Sequence, residues 1–353
     1  MSGRALVVGV TGISGGNVAE RLLADGWDVL GLSRRPRDLN RRITPIAVDL
    51  EDAEAVAAVL RGTAPTHVFY ATWSRCATES QNCEVNGRML QNLLDGLAPE
   101  KSVRHVALVT GLKHYLGPFE AYAKAQPDTP FSEEQDRLPY ENFYYVQEDI
   151  LFAAAERDGF TWSVHRPHTL IGWALGNAMN MGVTLAVYAA ICRETGREFH
   201  FPGSREQWEA VTDVTDATLL AEHLVWAATT PAAANTALNI VNGDVFRWRR
   251  MWPRLAAALD VEPRGFDGEP APLEEQMADA AEIWPRIVRR HGLRDHPVEE
   301  LASWWHTDAD LGRTIETFTD MGRSRRLGFL GVRDTETSFT ALFTRLRAER
   351  IVP

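Results

Sequence analysis

The sequence predicts an α/β protein, a doubly wound parallel sheet followed by a mainly helical C-terminal region. Three observations carry this reading. Short apolar runs alternate with helix-period segments through the first 170 residues. A cluster of glycines falls where the first strand turns into the first helix. After residue 170 the alternation gives way to longer helical patterns.

The first element is the apolar run Ala5 to Val8, read as a buried strand over 5–9. Gly9, Thr11, Gly12, Ile13 and Gly15 follow, then a helix over 16–25 built on Val18, Leu22 and Leu23. A second strand, 28–32, comes after Gly26. Glycines in this strand–turn–helix–strand frame let a pyrophosphate approach the backbone and the helix N-terminus. The fold is therefore Rossmann-type and the expected ligand a dinucleotide. The Gly-x-x-Gly-x-x-Gly spacing of Gly9, Gly12 and Gly15 resembles that of short-chain dehydrogenases/reductases. The second strand ends Leu32-Ser33-Arg34-Arg35-Pro36, with no carboxylate for a ribose 2′-hydroxyl. Ser33, Arg34 and Arg35 suit a 2′-phosphate, because guanidinium groups bind phosphate through fork-like, charge-assisted bonds. The cofactor expected is NADPH.

Further strands are expected at 44–48, 66–71, 104–110 and 161–165, with helices at 52–61, 82–97 and 142–158. Asp49 and Leu50 follow the third strand, where Asp49 can meet an adenine edge. Thr72 and Trp73 follow the fourth strand and Thr110 closes the fifth, on the carboxyl edge where ligands bind. Pro167 and His168 leave the sixth and should pass the nicotinamide, with backbone groups able to bond its carboxamide. Beyond them we read a helix from Asn180 to Thr195, a short strand at 199–201, a helix at 214–229 and a last sheet strand at 237–241. Residues 262–276 read as a surface loop, and 274–350 as helices. The division expected is a cofactor domain over 1–170, its sheet completed by the strand near 237–241, and a substrate-binding cap over 171–353.

The net charge of -11 argues against a nucleic-acid partner. No apolar run approaches a membrane span, and no signal-peptide pattern precedes the first strand. Cys76, Cys83 and Cys192 lack metal-ligand spacing and read as reduced thiols, so no metal and a cytoplasmic setting are expected. The expected partner is a small-molecule substrate, and a homodimer stays open as the assembly. Eleven tryptophans hint at an aromatic-walled pocket, although most are expected in cores.

Ordinary short-chain reductases start a helix with a tyrosine and place a lysine four residues later, which acidifies the tyrosine and holds the ribose. Here the helix begins Asn142-Phe143-Tyr144-Tyr145-Val146-Gln147-Glu148-Asp149. Glu148 and Asp149 stand where lysine should, and a carboxylate one turn away favours neutral tyrosine. The cation must come from elsewhere, or the chain is catalytically dead. Lys113, in Thr110-Gly111-Leu112-Lys113-His114-Tyr115 after the fifth strand, can enter the same cleft.

The strings at 111–119, 142–151, 161–167, 187–192 and 242–248, with Gly-Phe-Leu-Gly at 328–331, resemble the progesterone 5β-reductase/iridoid synthase-like family. Its members are short-chain-reductase-like in fold, use a rearranged lysine–tyrosine pair and reduce the C=C bond of enones with NADPH. The resemblance implies Lys113 and Tyr144 as the catalytic pair, with Tyr145 a packing residue. It leaves the substrate open, because His168 to Asn180, containing Trp173 and Leu175, departs from the family pattern. Trp73, Phe119, Trp173 and Phe329 are candidate pocket residues, and His165 reads as structural.

The chemistry agrees. Hydride arriving at the β-carbon of an enone or enal pushes charge onto the carbonyl oxygen. A tyrosine hydroxyl and an ammonium aimed there stabilise the enolate as it forms. Two alternatives remain: a carbonyl (1,2-) reductase using the same site, and a non-catalytic NADPH-sensing protein. A nucleotide-sugar epimerase is disfavoured by the missing lysine after the tyrosine.

Overall fold

The computed structural model describes residues 3–118, 128–176 and 179–353. β1 (Arg4–Val8), β2 (Asp28–Ser33), β3 (Ile43–Ala47), β4 (His67–Tyr70), β5 (His105–Val109), β6 (Thr161–Pro167) and β7 (Thr236–Ile240) form one sheet. Their order is β7-β6-β5-β4-β1-β2-β3 and every pairing is parallel. The inner strands β1 and β5 are near-continuous apolar runs because both faces of the sheet are covered there. Register pairs Val8 with both Leu32 and Tyr70, so Gly9, Ser33 and Ala71 lie side by side at the carboxyl ends of their strands. The strand order reverses between β1 and β4, which opens a crevice at the carboxyl edge.

On one face α1 (Ile13–Ala24) and α7 (Ala217–Thr229) bury Val18, Leu22, Leu219 and Leu224 against Val7 and Phe69. On the other, α2 (Ala53–Leu60), α3 (Glu79–Leu97) and α5 (Phe143–Asp158) pack Val56, Leu90, Leu94 and Leu151 against Leu6 and Val68. The short α4 (Lys113–Leu116) follows β5. A third core gathers side chains from Ile171 to Val352. It is built on α6 (Met181–Thr195), α8 (Trp248–Leu259), α9 (Ala280–His291) and α11 (Thr335–Ala348), and buries Trp248, Trp252 and Trp284. A further cap helix, α10 (Trp304–Leu311), faces the crevice.

Two local readings change. Residues 262–276 are not all loop: Pro263–Arg264 pairs with Phe199–His200, and Leu273–Gln276 is helical. Nor is 274–350 helical throughout. Thr317 and Thr319 bridge to Thr212 and Phe131, so long-range pairing overrides local preference there. Among the described residues no helix is long and apolar enough to cross a membrane.

Candidate active site

A cavity of about 450 Å³ lies at the strand-order reversal. The sheet side supplies the first turn of α1, the exits of β4, β5 and β6, and the start of α5. The cap supplies Trp305, His306, Asp310 and Arg313. Lys113, Tyr144, Thr72, Trp73, Thr110, Pro167 and His168 all line it, with Gly12 and Ile13. Trp73 stacks on Phe143 at 5.5 Å.

Lys113 opens α4 and is buried. Its ammonium pairs with Glu79 Oε2 and lies 4.6 Å from the centre of the Phe143 ring. The other oxygen of Glu79 accepts the Phe143 N–H at 2.9 Å. Asn142, the N-cap of α5, accepts from the Tyr144 N–H at 3.0 Å and donates to the Lys113 carbonyl at 2.9 Å. Lysine and tyrosine are thus tied through one turn. A Cβ on Gly111 would sit 3.3 Å from the Tyr144 hydroxyl, so glycine leaves that oxygen room.

Tyr145 points away from the cavity. Its hydroxyl donates to the His114 carbonyl at 2.6 Å and accepts from the Leu138 N–H at 3.0 Å. Glu148 also turns away. It accepts from Arg137 at 2.9 Å and Arg166 at 3.2 Å, with His114 at 3.6 Å. Burial pushes its carboxyl up, but these three groups outweigh burial and bring it down to about 2. The carboxylate expected to oppose the tyrosine is neutralised elsewhere.

The residues also fit a dinucleotide. Gly9 has φ +82°, and a Cβ there would lie 2.6 Å from the Ala71 carbonyl oxygen. A Cβ on Gly15 would lie 2.2 Å from the Gly9 carbonyl oxygen, so only glycine lets α1 approach β1 this closely. The Gly9 N–H donates to the Leu32 carbonyl at 2.9 Å, which joins the glycine turn to the segment carrying Ser33. Ser33 Oγ is buried with no hydrogen-bond partner among the described residues. Arg34 and Arg35, next to it in sequence, and Thr11 in the glycine turn are exposed and hold no cavity wall. Asp49 Oδ1 accepts from the Glu51 N–H at 3.1 Å, and Leu50 is buried, its carbonyl accepting from Asn92 at 2.8 Å.

Several expectations need correction. The His168 N–H donates to Thr215 Oγ1 at 3.1 Å, so this one of the backbone groups expected to meet a carboxamide is already bonded. Its imidazole bonds Asp213 at 2.7 Å and accepts from Arg313 at 2.8 Å, which fixes the proton on Nδ1. Trp173 does not line the cavity; it packs on the cap core under Arg345, 4.0 Å from its ring centre. Phe329 is buried instead against His223 at 4.6 Å and Trp226 at 5.3 Å, on the face of the sheet covered by α7. Phe119 lies outside the described residues. Among the described residues two tryptophans, Trp73 and Trp305, line the cavity.

Glu79 and the cap residues His306, Asp310 and Arg313 escaped the sequence reading. Glu79 follows the N-cap Thr78, so it reads as an ordinary first-turn acid. The cap residues meet the site only through tertiary packing.

A glycine-turn parallel sheet with a buried lysine and a tyrosine in its carboxyl-edge cavity defines a Rossmann-fold oxidoreductase of the short-chain dehydrogenase/reductase type. The model of the PRISE-like Rossmann-fold domain matches residues 48–353, and the chain belongs to that family. It is 43% identical over 361 residues to an (S)-8-oxocitronellyl enol synthase of Nepeta cataria, covering 99% of this chain and 93% of that one. It is 42% identical over 362 residues to the 3-oxo-Delta(4,5)-steroid 5-beta-reductase of Arabidopsis thaliana, with the same coverage of 99% and 93%. Among solved structures, a putative epimerase from Burkholderia cenocepacia superposes with TM-score 0.69 at 20% identity, covering 98% and 99% of the two chains. The Thermus thermophilus UDP-glucose 4-epimerase in complex with NAD gives TM-score 0.69 at 17% identity, with coverage again 98% and 99%. These structural likenesses show the fold.

Proposed function

We propose that the protein is an NADPH-dependent enone 1,4-reductase. The observation that carries this reading is the buried Lys113, tied through Asn142 and Glu79 to Tyr144 in one cavity. When bound, the nicotinamide supplies a hydride. Tyr144 donates its hydroxyl hydrogen bond to the carbonyl oxygen of the substrate. As the β-carbon is reduced, charge gathers on that oxygen, and the hydroxyl and the Lys113 ammonium meet it there. No protein base is required, because the α-carbon takes its proton from water. Trp73 and Phe143 give the enone an apolar wall. Ser33, Arg34 and Arg35 hold the 2′-phosphate, and Gly9, Gly12 and Gly15 admit the pyrophosphate. The similarity to the 3-oxo-Delta(4,5)-steroid 5-beta-reductase, at 42% identity, supports the same bond as target.

The test uses deuterium-labelled NADPH with cyclohexenone. Deuterium at the β-carbon of a surviving ketone is expected. Deuterium on a carbinol carbon would make the enzyme a carbonyl reductase.

A further inference from the structure

Gln147 is 1% exposed and lines the cavity, yet its amide Nε2 has no hydrogen-bond partner among the described residues. A buried donor left unmade is costly, and native folds keep few of them without a use. The cavity is where this donor can find a partner.

Its depth identifies that partner. α5 links two parallel strands, β5 and β6, so it starts at the carboxyl edge and runs back along the sheet. Tyr144 stands in its first turn. Gln147 is three residues on, on the same helix face and about 4.5 Å deeper along the axis. The next residue, Glu148, is drawn into the Arg137–Arg166–His114 cluster. At this level α5 therefore presents an amide to the cavity, beside the wall formed by Val109 and Thr110. A substrate oxygen held by Tyr144 and Lys113 lies at the level of the first turn. With the nicotinamide bound next to that oxygen, the sugar it carries would fall below it, between the substrate and the strand ends, within reach of Gln147.

We propose that Gln147 binds the cofactor by donating from Nε2 to a hydroxyl of the nicotinamide ribose. This rests on reading the cavity as an NADPH site. Ribose hydroxyls both accept and donate, so the side-chain amide matches them with either of its ends.

The test compares wild type with Gln147→Leu and Gln147→Met, two apolar replacements of similar size. Dissociation constants are measured by calorimetry for NADPH and for adenosine 2′,5′-bisphosphate, which lacks the nicotinamide ribose. NADPH binding should weaken about two- to tenfold, the loss of one hydrogen bond. Binding of the bisphosphate should stay unchanged. The ligand-free variants should melt at or above the wild-type temperature, because an apolar group replaces an orphaned donor, while the NADPH-induced rise should shrink. An unchanged NADPH constant overturns the proposal, and a raised Michaelis constant for the enone would then assign Gln147 to the substrate. Equal weakening for both ligands, or lower melting of both ligand-free variants, makes it a structural residue. A wild-type protein that binds neither ligand would instead refute the proposed function.

Discussion

Lowering the pH should destabilise this protein through histidines that the fold holds neutral. His105, His165 and His223 form a buried relay across the sheet. His105 Nε2 bonds Ser163 at 2.9 Å, Ser163 bonds His165 at 2.8 Å, and His165 bonds His223 at 2.9 Å. His223 reaches Ser324 at 3.1 Å. Burial lowers all three; His105 and His223 each come down to about 3, and His165 falls well below 6.5. The unfolded chain titrates them near 6.5, so below that pH it binds more protons than the native state, and stability falls as pH falls. At pH 5 the 1.5 units below 6.5 cost about 2 kcal/mol for His105 and about 2 for His223. His165 acts in the same direction. Asp308 opposes them, since burial raises it to about 6. Its partial solvent access leaves about 1 kcal/mol of compensation at pH 5. A net loss of roughly 3 kcal/mol or more is a large part of a typical domain's stability. Urea titrations at pH 7, 6 and 5 measure it, and the slope against pH counts protons. His223→Gln should reduce that slope by about 1.4 kcal/mol per pH unit. An unaltered slope in this variant would refute the reasoning.

Two further outcomes are expected. Arg34→Ala should weaken NADPH binding by about 1.5–3 kcal/mol, the worth of a hydrogen bond to a charged group, and leave NADH almost unaffected; equal wild-type affinities for the two cofactors would count against the 2′-phosphate site. Lys113→Ala and Tyr144→Phe should each lower turnover by about 10²–10³ with little change in NADPH affinity, whereas Tyr145→Phe should act mainly on stability, through its bonds to His114 and Leu138; steady-state kinetics and thermal melting separate the two effects.

What could be read from the sequence follows from how local each signal is. The inner strands are short apolar runs and the glycine turn depends on neighbours within seven residues, so both show in the chain itself. The start of α3 came three residues late, at 82 rather than Glu79, because capping by Thr78 is a weaker signal than the apolar stripe that follows. Lys113 could be brought to the cleft from its position just after the fifth strand, whereas its pairing with Tyr144 rested on the resemblance. Glu79, which fixes that lysine, lies 34 residues earlier, and nothing local distinguishes it from a helix-start acid. Phe329 and Trp173 looked like pocket aromatics, but α7 and the cap core offered them closer-packed surfaces. His165 was read as structural, yet its place in a four-element relay depends on β5, β6, α7 and the short helix Gly322–Arg326 that carries Ser324 coming together.

The arrangement of charge explains how a carboxylate can occupy the position after the tyrosine without opposing it. Glu148 is 2% exposed and satisfied by Arg137 and Arg166, so it fastens α5 to β6 and to the segment before the helix. Losing one partner of such a buried pair costs about 3–5 kcal/mol, which makes the cluster a structural strut. A lysine at this position would face two arginines instead of balancing them, and would have no acid to share. The cation is therefore delivered from α4, and its own carboxylate comes from α3. This changes what sets the distance between the two functional groups. In a helix-borne pair the pitch of the helix sets it. Here it is set by Asn142, which holds both the Lys113 carbonyl and the Tyr144 N–H, and by Glu79, which holds both the ammonium and the Phe143 N–H. Two side chains, each bridging the same two segments, define the pair more stiffly than either could alone. On the proposed reading, this stiffness is what would hold two donors on one substrate oxygen, with Gln147 one turn deeper in the same cavity.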